Sequence, residues 1–248
     1  MKQALLQVKV RGMAMKTTQI ARHFVMTGLL VLLIPIVLTT PQAYAETYVA
    51  GQFGMTFPQA LKNGETTQEG IGSLDLSDQP LKNSFMLGAK FGHYFMKAPW
   101  VGIETGLSFA NPHVKEGSLT FSGPGGSQTI NGLSGLSHRM IIWDMATLMF
   151  RYPGYRLQPY VGVGPALFLA KLSGPDAPPG QSATMIGLNA ELGARYYITR
   201  SWALFGEGQY HRARLGYTSN DDNGAADPFG FRATYSALTV SLGISYHF

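Results

Sequence analysis

The chain has 248 residues, of which 45% are hydrophobic and 13% charged, with 30 glycines and no cysteine. Charge at half the usual ~25% argues against both a disordered chain and an ordinary cytosolic globule, and the lack of cysteine excludes disulfides, thiol nucleophiles and Cys-based metal sites. Lys2, Lys9, Arg11, Lys16 and Arg22 account for the whole formal charge of +5; subtracting those five from 19 leaves 14 basic residues beyond Ala45 against 14 acidic ones, so the mature chain is neutral and no nucleic-acid partner is expected.

The first element in chain order is the leader. Val25 to Leu38 reads VMTGLLVLLIPIVL, an uncharged run preceded by basic residues and followed by TTPQAYA, with Ala43 and Ala45 in an A-x-A arrangement. These are the parts of a secretory signal, whereas a membrane helix needs ~20 apolar residues and would not carry Pro35 in its middle. Residues 1–45 are therefore read as a signal peptide and residues 46–248 as one exported domain, with Met13 or Met15 left open as alternative starts. Export without cysteine suits a bacterial envelope protein whose fold is not held by disulfides.

Beyond the leader no apolar run reaches 18 residues, and the hydrophobic period is two rather than 3.6. Within Ala183 to Ile198, Ile186, Leu188, Ala190, Leu192, Ala194 and Tyr196 share one face, while Gly187, Asn189, Glu191, Gly193, Arg195 and Tyr197 share the other. The final segment repeats this, with Leu238, Val240, Leu242, Ile244, Tyr246 and Phe248 alternating with small or polar residues. Glycine and serine on the polar face fit a narrow lumen, with apolar side chains turned out to lipid.

Eight such segments are predicted: Thr47–Phe57, Ser84–Phe95, Trp100–Ala110, Ser137–Arg151, Pro159–Ala170, Thr184–Ile198, Trp202–His211 and Ala233–Phe248. Long loops near 58–83, 111–136, 171–183 and 212–232 alternate with short turns near 96–99, 152–158 and 199–201, the asymmetry of an outer-membrane barrel with both chain ends in the periplasm. The predicted fold is all-β, an eight-stranded antiparallel transmembrane up-and-down β-barrel. Two aromatic girdles are expected: Phe95, Trp100, Tyr152, Tyr155, Tyr160, Tyr196, Trp202, Tyr246 and Phe248 below, and Phe57, Phe85, Phe109, Tyr210, Phe231 and Tyr235 above. In Ser137–Arg151 strict alternation would place Thr147 and Arg151 inward but Asp144 against lipid, so a bulge at an unlocated position is expected there.

Side chains fill a barrel of eight strands, which makes an open pore improbable. The inward residues Gln52, Lys90, Glu104, Glu191, Arg195 and Glu207 lie a few positions from periplasmic turns, so an ion-paired layer of Lys90, Glu104, Glu191, Arg195 and Glu207 is expected to plug the lower lumen.

The strand opening TYVAGQFGMTF, the strands PYVGVGPALF, GLNAELGARYYIT and WALFGEGQY, and a terminus of alternating apolar residues ending in Phe248 make the chain resemble the eight-stranded outer-membrane β-barrel superfamily of opacity-type, porin-like surface proteins. The resemblance spans 46–248 and implies a place in the cell outer membrane, embedded in its lipid. It also implies that Phe248, Tyr246, Ile244, Leu242 and Val240 form the terminal signal read by the barrel-assembly machinery. By the same analogy, the expected role is structural or adhesion-like, through four exposed loops contacting a surface ligand. A monomer is expected.

Two alternative functions stand beside this one: a narrow channel for small or apolar solutes, and a lipid A-modifying envelope enzyme. The residues give no catalytic constellation. His211 and Ser219 are eight positions apart, unlike the His and Ser separated by one residue in similar lipid A deacylases. His93, His113, His138 and His247 have no metal-ligand spacing, the stretch Ser219 to Gly224 lacks a calcium-loop pattern, and GPGGS at 123–127 precedes no helix, so no cofactor or metal is expected and the chain is read as a non-enzyme.

Overall fold

The computed structural model describes residues 46–68, 72–115, 117–123, 126–133, 136–174, 181–219 and 230–248; residues 1–45, read above as a signal peptide, and most of the stretch Ser219 to Gly224 lie outside them. Among the described residues, alternating β-branched, aromatic and glycine-rich segments form twelve strands: β1 (Glu46–Pro58), β2 (Lys62–Gln68), β3 (Gly72–Leu76), β4 (Ser84–Phe95), β5 (Ala98–Ala110), β6 (Gly117–Gly123), β7 (Gly126–Leu133), β8 (Ser137–Arg151), β9 (Leu157–Ser173), β10 (Gln181–Tyr197), β11 (Trp202–Ser219) and β12 (Gly230–His247). β1, β4, β5, β8, β9, β10, β11 and β12 pair antiparallel in that order, and β12 returns to β1, closing an eight-stranded barrel. At the seam, the Thr47 amide donates to the Phe248 carbonyl at 3.1 Å and the Phe248 amide donates back at 2.9 Å. Closure satisfies both edges, as a lipid environment demands.

Followed across the ladders, Glu46 faces Tyr94, Gly102, Met149, Gly162, Glu191, Gln209 and Thr239 in turn and returns to β1 at Thr56, ten residues further on. With that stagger, eight strands tilt by roughly 40° around a backbone cylinder of about 8 Å radius. At that radius side chains are enough to fill the interior. Phe53, Leu87, Ile103, Leu192, Leu204 and Leu242 are exposed on the outside, whereas Gln52, Lys90, Glu104, Glu191 and Glu207 are buried within. This is the inverse of a soluble sheet and the arrangement of a membrane-spanning one.

Toward the end opposite the short turns the alternation changes phase of chemistry, and four loop expectations are corrected. On β11, Trp202 and Leu204 point outward and Glu207, Gln209 and His211 inward; higher up, Arg212 and Arg214 point outward while Ala213, Leu215 and Tyr217 are buried. β12 does the same, with Arg232 and Thr234 outside and Ala233, Tyr235 and Ala237 inside. Strands β9 to β12 thus run on into stretches read as loops, where the patterning is that of a water-soluble sheet. An apolar cluster fills this upper interior, and Leu61, Leu81, Val114 and Leu136 from the β1–β4 and β5–β8 connections pack into it.

Those two connections also carry strands rather than irregular loops. β2 pairs with β12, β3 with β2, β6 with β3 and β7 with β6, extending the sheet from the barrel wall. The aromatic girdles need correction at two positions: Tyr160 and Tyr235 are buried in the lumen, because each shares the parity of its strand's inward residues. Phe95, Trp100, Tyr196, Trp202, Tyr246 and Phe248 are exposed at the lower end, and Phe57, Phe85, Phe109 and Tyr210 at the upper; the Phe231 side chain lies outside the description.

The bulge in β8 falls at Met145 and Ala146. Glu104 faces Thr147 and Gly106 faces Asp144, so two residues of β8 stand opposite the single Thr105 of β5. The extra residue lets Asp144 and Thr147, three apart, both point inward, and Asp144 does not meet lipid. Thr105 fixes the bulge by donating from Oγ1 to the Asp144 carbonyl at 2.8 Å and accepting from the Trp143 indole at 3.0 Å. Thr105→Val removes both bonds and is expected to cost about 1–2 kcal/mol, read as a shift in the urea midpoint in lipid vesicles.

Candidate functional site

Among the described residues, buried polar and charged side chains concentrate in the lumen. It is built in tiers by the inward parity of the eight wall strands. In the lower tier, Lys90 from β4 sends Nζ to Glu104 of β5 at 2.8 Å, Glu191 of β10 at 2.9 Å and Glu207 of β11 at 2.8 Å. All four side chains are almost wholly removed from the outside, Lys90 at 1% exposure. An isolated ammonium or carboxylate here would be very costly, and mutual pairing is the condition for burying them.

Neutral donors complete the tier. The Tyr48 hydroxyl donates to Glu104, the Tyr160 hydroxyl donates to Glu207 at 2.7 Å, and Gln209 Nε2 donates to Glu191 at 3.4 Å. Ser241 Oγ donates to Gln52 Oε1 at 3.1 Å on the β1–β12 side of the lumen. Each carboxylate therefore meets the lysine and a second donor, which holds it against the pull of its like-charged neighbours.

Four of the five expected members of this layer come together; Arg195 stands apart. Its guanidinium lies over the Tyr48 ring, 4.1 Å from the centroid, and near the Tyr160 and Phe205 rings at 5.4 and 5.8 Å. Arg195 is four residues nearer the short turn than Glu191 on the same strand, which drops it one tier below the lysine. Cation–π contact, rather than a carboxylate, is its described environment. Beneath it, Glu46 joins Arg151, Tyr197 and His247, and Arg151 Nε also donates to the Pro99 carbonyl at 2.8 Å. The Arg151 guanidinium caps the Tyr94 ring at 3.7 Å.

Above the lysine tier, His211 Nε2 lies 3.1 Å from Asp144 Oδ1, and Asn189 Nδ2 donates to Thr147 Oγ1 at 3.3 Å. Higher still, His138 is bonded to the Tyr217 hydroxyl within the apolar cluster. None of these three pairs is visible in the sequence as a motif, because the partners sit on different strands; only inward parity connects them. His93, by contrast, is on the lower rim beside Thr47 Oγ1 at 2.8 Å, and His113 is exposed. Among the described residues no group of three or more His, Cys, Asp or Glu side chains is arranged to hold a metal ion. The Ser219 side chain lies outside the description, so its relation to His211 is not drawn. Pro124 and Gly125 of the GPGGS stretch lie outside it too.

Val240, Leu242, Ile244, Tyr246 and Phe248 form an outward, exposed row on β12 and the residue after it, with Trp202 beside Tyr246 at a ring separation of 4.9 Å.

The chain is similar to solved outer-membrane proteins. The outer membrane protein OprG from Pseudomonas aeruginosa matches with a TM-score of 0.58 at 15% identity, over 84% of this chain and 97% of that one. Neisserial surface protein A matches with a TM-score of 0.46 at 14% identity over 81% and 96%. Ail, the attachment invasion locus protein of Yersinia pestis, matches with a TM-score of 0.44 at 14% identity over 83% and 99%. No curated protein matches the chain. The family model for the outer membrane protein beta-barrel domain matches residues 29–248. With a closed eight-stranded wall greasy outside and charged within, the chain belongs to the outer membrane protein beta-barrel domain family and resides in the cell outer membrane.

Proposed function

We propose that this protein is a structural and surface-interaction barrel whose lumen is sealed rather than conducting, and whose extracellular sheet supplies the contact surface. The observation that carries the reading is the Lys90 tier: one ammonium tied to three carboxylates from three strands spans a lumen about 8 Å in backbone radius, with an apolar plug above it. Moving Lys90 aside would strand three buried anions, so the tier favours one closed state. Function then lies outside the wall, in strands β2, β3, β6 and β7, whose described exposed residues are mostly small and polar. The engaged His211 and Asp144 support a non-enzymatic role, as does their enclosure. The outward C-terminal row suits recognition by the assembly machinery during insertion, and the edge-free wall suits a monomer.

Planar-bilayer recording on the purified protein tests the seal. No current above background is expected from either the native chain or Glu104→Gln; stepwise conductance in the native chain would overturn the sealed reading in favour of a narrow solute channel. For the surface role, replacing residues 59–83 and 111–136 by short turns is expected to abolish cell or matrix adhesion. Adhesion undiminished by that graft would remove the role from these segments.

A further inference from the structure

The outside of the wall carries a feature that neither the lumen nor the loop sheet explains. Going up β8, the outward positions are Phe150, Leu148, Ala146, Trp143 and Ile141, and the next is Arg139. Going up β9 they are Val161, Val163, Pro165, Leu167 and Leu169, and the next is Lys171. Both cations are exposed, and they face each other directly across the β8–β9 ladder. Directly opposed side chains lie ~5 Å apart at Cβ, and like charges in that position repel.

The protein itself supplies no anion for them among the described residues: no ion pair joins Arg139 or Lys171 to an acidic side chain, whereas the outward Arg214 of β11 has Glu65 at 2.8 Å. The pair also sits where the lipid-facing apolar row ends, two residues above Ile141 and Leu169. That is the height of the headgroups of the outer leaflet, and a charge on the lipid face costs little at that depth. A guanidinium offers a planar fork and an ammonium a point charge, and the two together suit a phosphate monoester, whose oxygens accept from both.

We infer that Arg139 and Lys171 form a binding site for the phosphorylated headgroup of an outer-leaflet glycolipid, whose acyl chains lie along the outward rows of β8 and β9. Charge complementarity fixes the headgroup, and continuity with the apolar rows fixes a lipid rather than a free anion. The site depends on the outer-membrane location, not on whether the lumen is sealed.

The full-length protein, folded in detergent, is titrated by native mass spectrometry with bisphosphorylated lipid A. The native chain is expected to retain one lipid, and Arg139→Gln/Lys171→Gln to bind it roughly tenfold or more weakly, given the worth of two interfacial cations against an anionic surface. Lys171→Arg should hold it, and so should Arg200→Gln, a cation removed from a short turn at the other end. On the native chain, dephosphorylated lipid A is expected to lose a similar factor, and millimolar inorganic phosphate is expected not to displace the lipid. Equal binding of dephosphorylated lipid A would show that the chains alone hold it and would overturn the site, as would displacement by free phosphate or undiminished binding by the double variant. Because the dephosphorylated lipid is tested on the native chain, a misfolded variant does not shield the inference.

Discussion

Lys90→Met is expected to be the most damaging single substitution in the wall. It removes the cation that lies within 2.9 Å of Glu104, Glu191 and Glu207 and leaves three carboxylates together in an enclosed lumen. Breaking a buried ion pair by deleting one partner costs about 3–5 kcal/mol, and here one deletion breaks three pairs. Urea titration in lipid vesicles, followed by the fluorescence of the lipid-facing Trp100, Trp143 and Trp202, reads the loss directly. Lys90→Arg should recover only part of it, since a rigid fork cannot reproduce three convergent contacts from one point. The informative companion is Lys90→Met combined with Glu104→Gln, Glu191→Gln and Glu207→Gln, because replacing a whole buried ionic group by neutral residues of similar volume is often close to neutral. Recovery in the quadruple variant would assign the cost to uncompensated charge. If Lys90→Met itself stays within about 1 kcal/mol of the native chain, the lysine is not what binds the tier together.

Much of this wall is legible in the sequence. Period-two alternation with glycine and serine on the polar face identified a lipid-facing barrel, and parity alone picked out Gln52, Lys90, Glu104, Glu191 and Glu207 as inward. Parity gives the side of the wall but not the height within it. Arg195 shares the inward face with Glu191, yet four residues of strand rise, about 13 Å along the chain direction, set it against Tyr48 instead of the carboxylates. Partners on non-adjacent strands, such as His211 with Asp144 or Glu46 with Arg151, depend on the ten-residue stagger, and no single strand encodes that stagger.

The upper wall escaped for a different reason. Arg212 to Tyr217 still alternates, but polar residues now stand outside and apolar ones inside. A reader looking for grease on the lipid face therefore ends the strand at His211. The switch is the point where the surroundings change from hydrocarbon to water. It also explains why apolar residues in the supposed loops, Leu61, Leu81, Val114 and Leu136, were not recognised as a plug: no period of two announces a residue that packs from a connection into a lumen.

Asp144 calls for a bulge in β8 but does not place it, because the residues that hold it there, Thr105 and Gly164, lie on the two neighbouring strands. Gly164 of β9 lies beside the bulge, where a Cβ would stand 2.3 Å from the Ala146 carbonyl oxygen and 2.8 Å from the Thr147 Cα. Both obstacles are backbone, so no rotamer change can relieve the clash. Gly164→Val should force the bulge to move or the β8–β9 ladder to open, and overpacking of this kind costs about 3 kcal/mol. Gly206 offers the contrast, since a Cβ there meets only Leu242 Cδ2 at 3.4 Å, so Gly206→Ala should be nearly silent. The effect of Gly164→Val should also be local to the bulge. Amide exchange is expected to quicken along Asp144 to Leu148 while the β11–β12 ladder keeps its protection, and the Asp144 contact with His211 should be lost because it requires Asp144 to point inward. A Gly164→Val protein with the native urea midpoint and unchanged exchange over Asp144 to Leu148 would mean that the extra residue of β8 lies elsewhere.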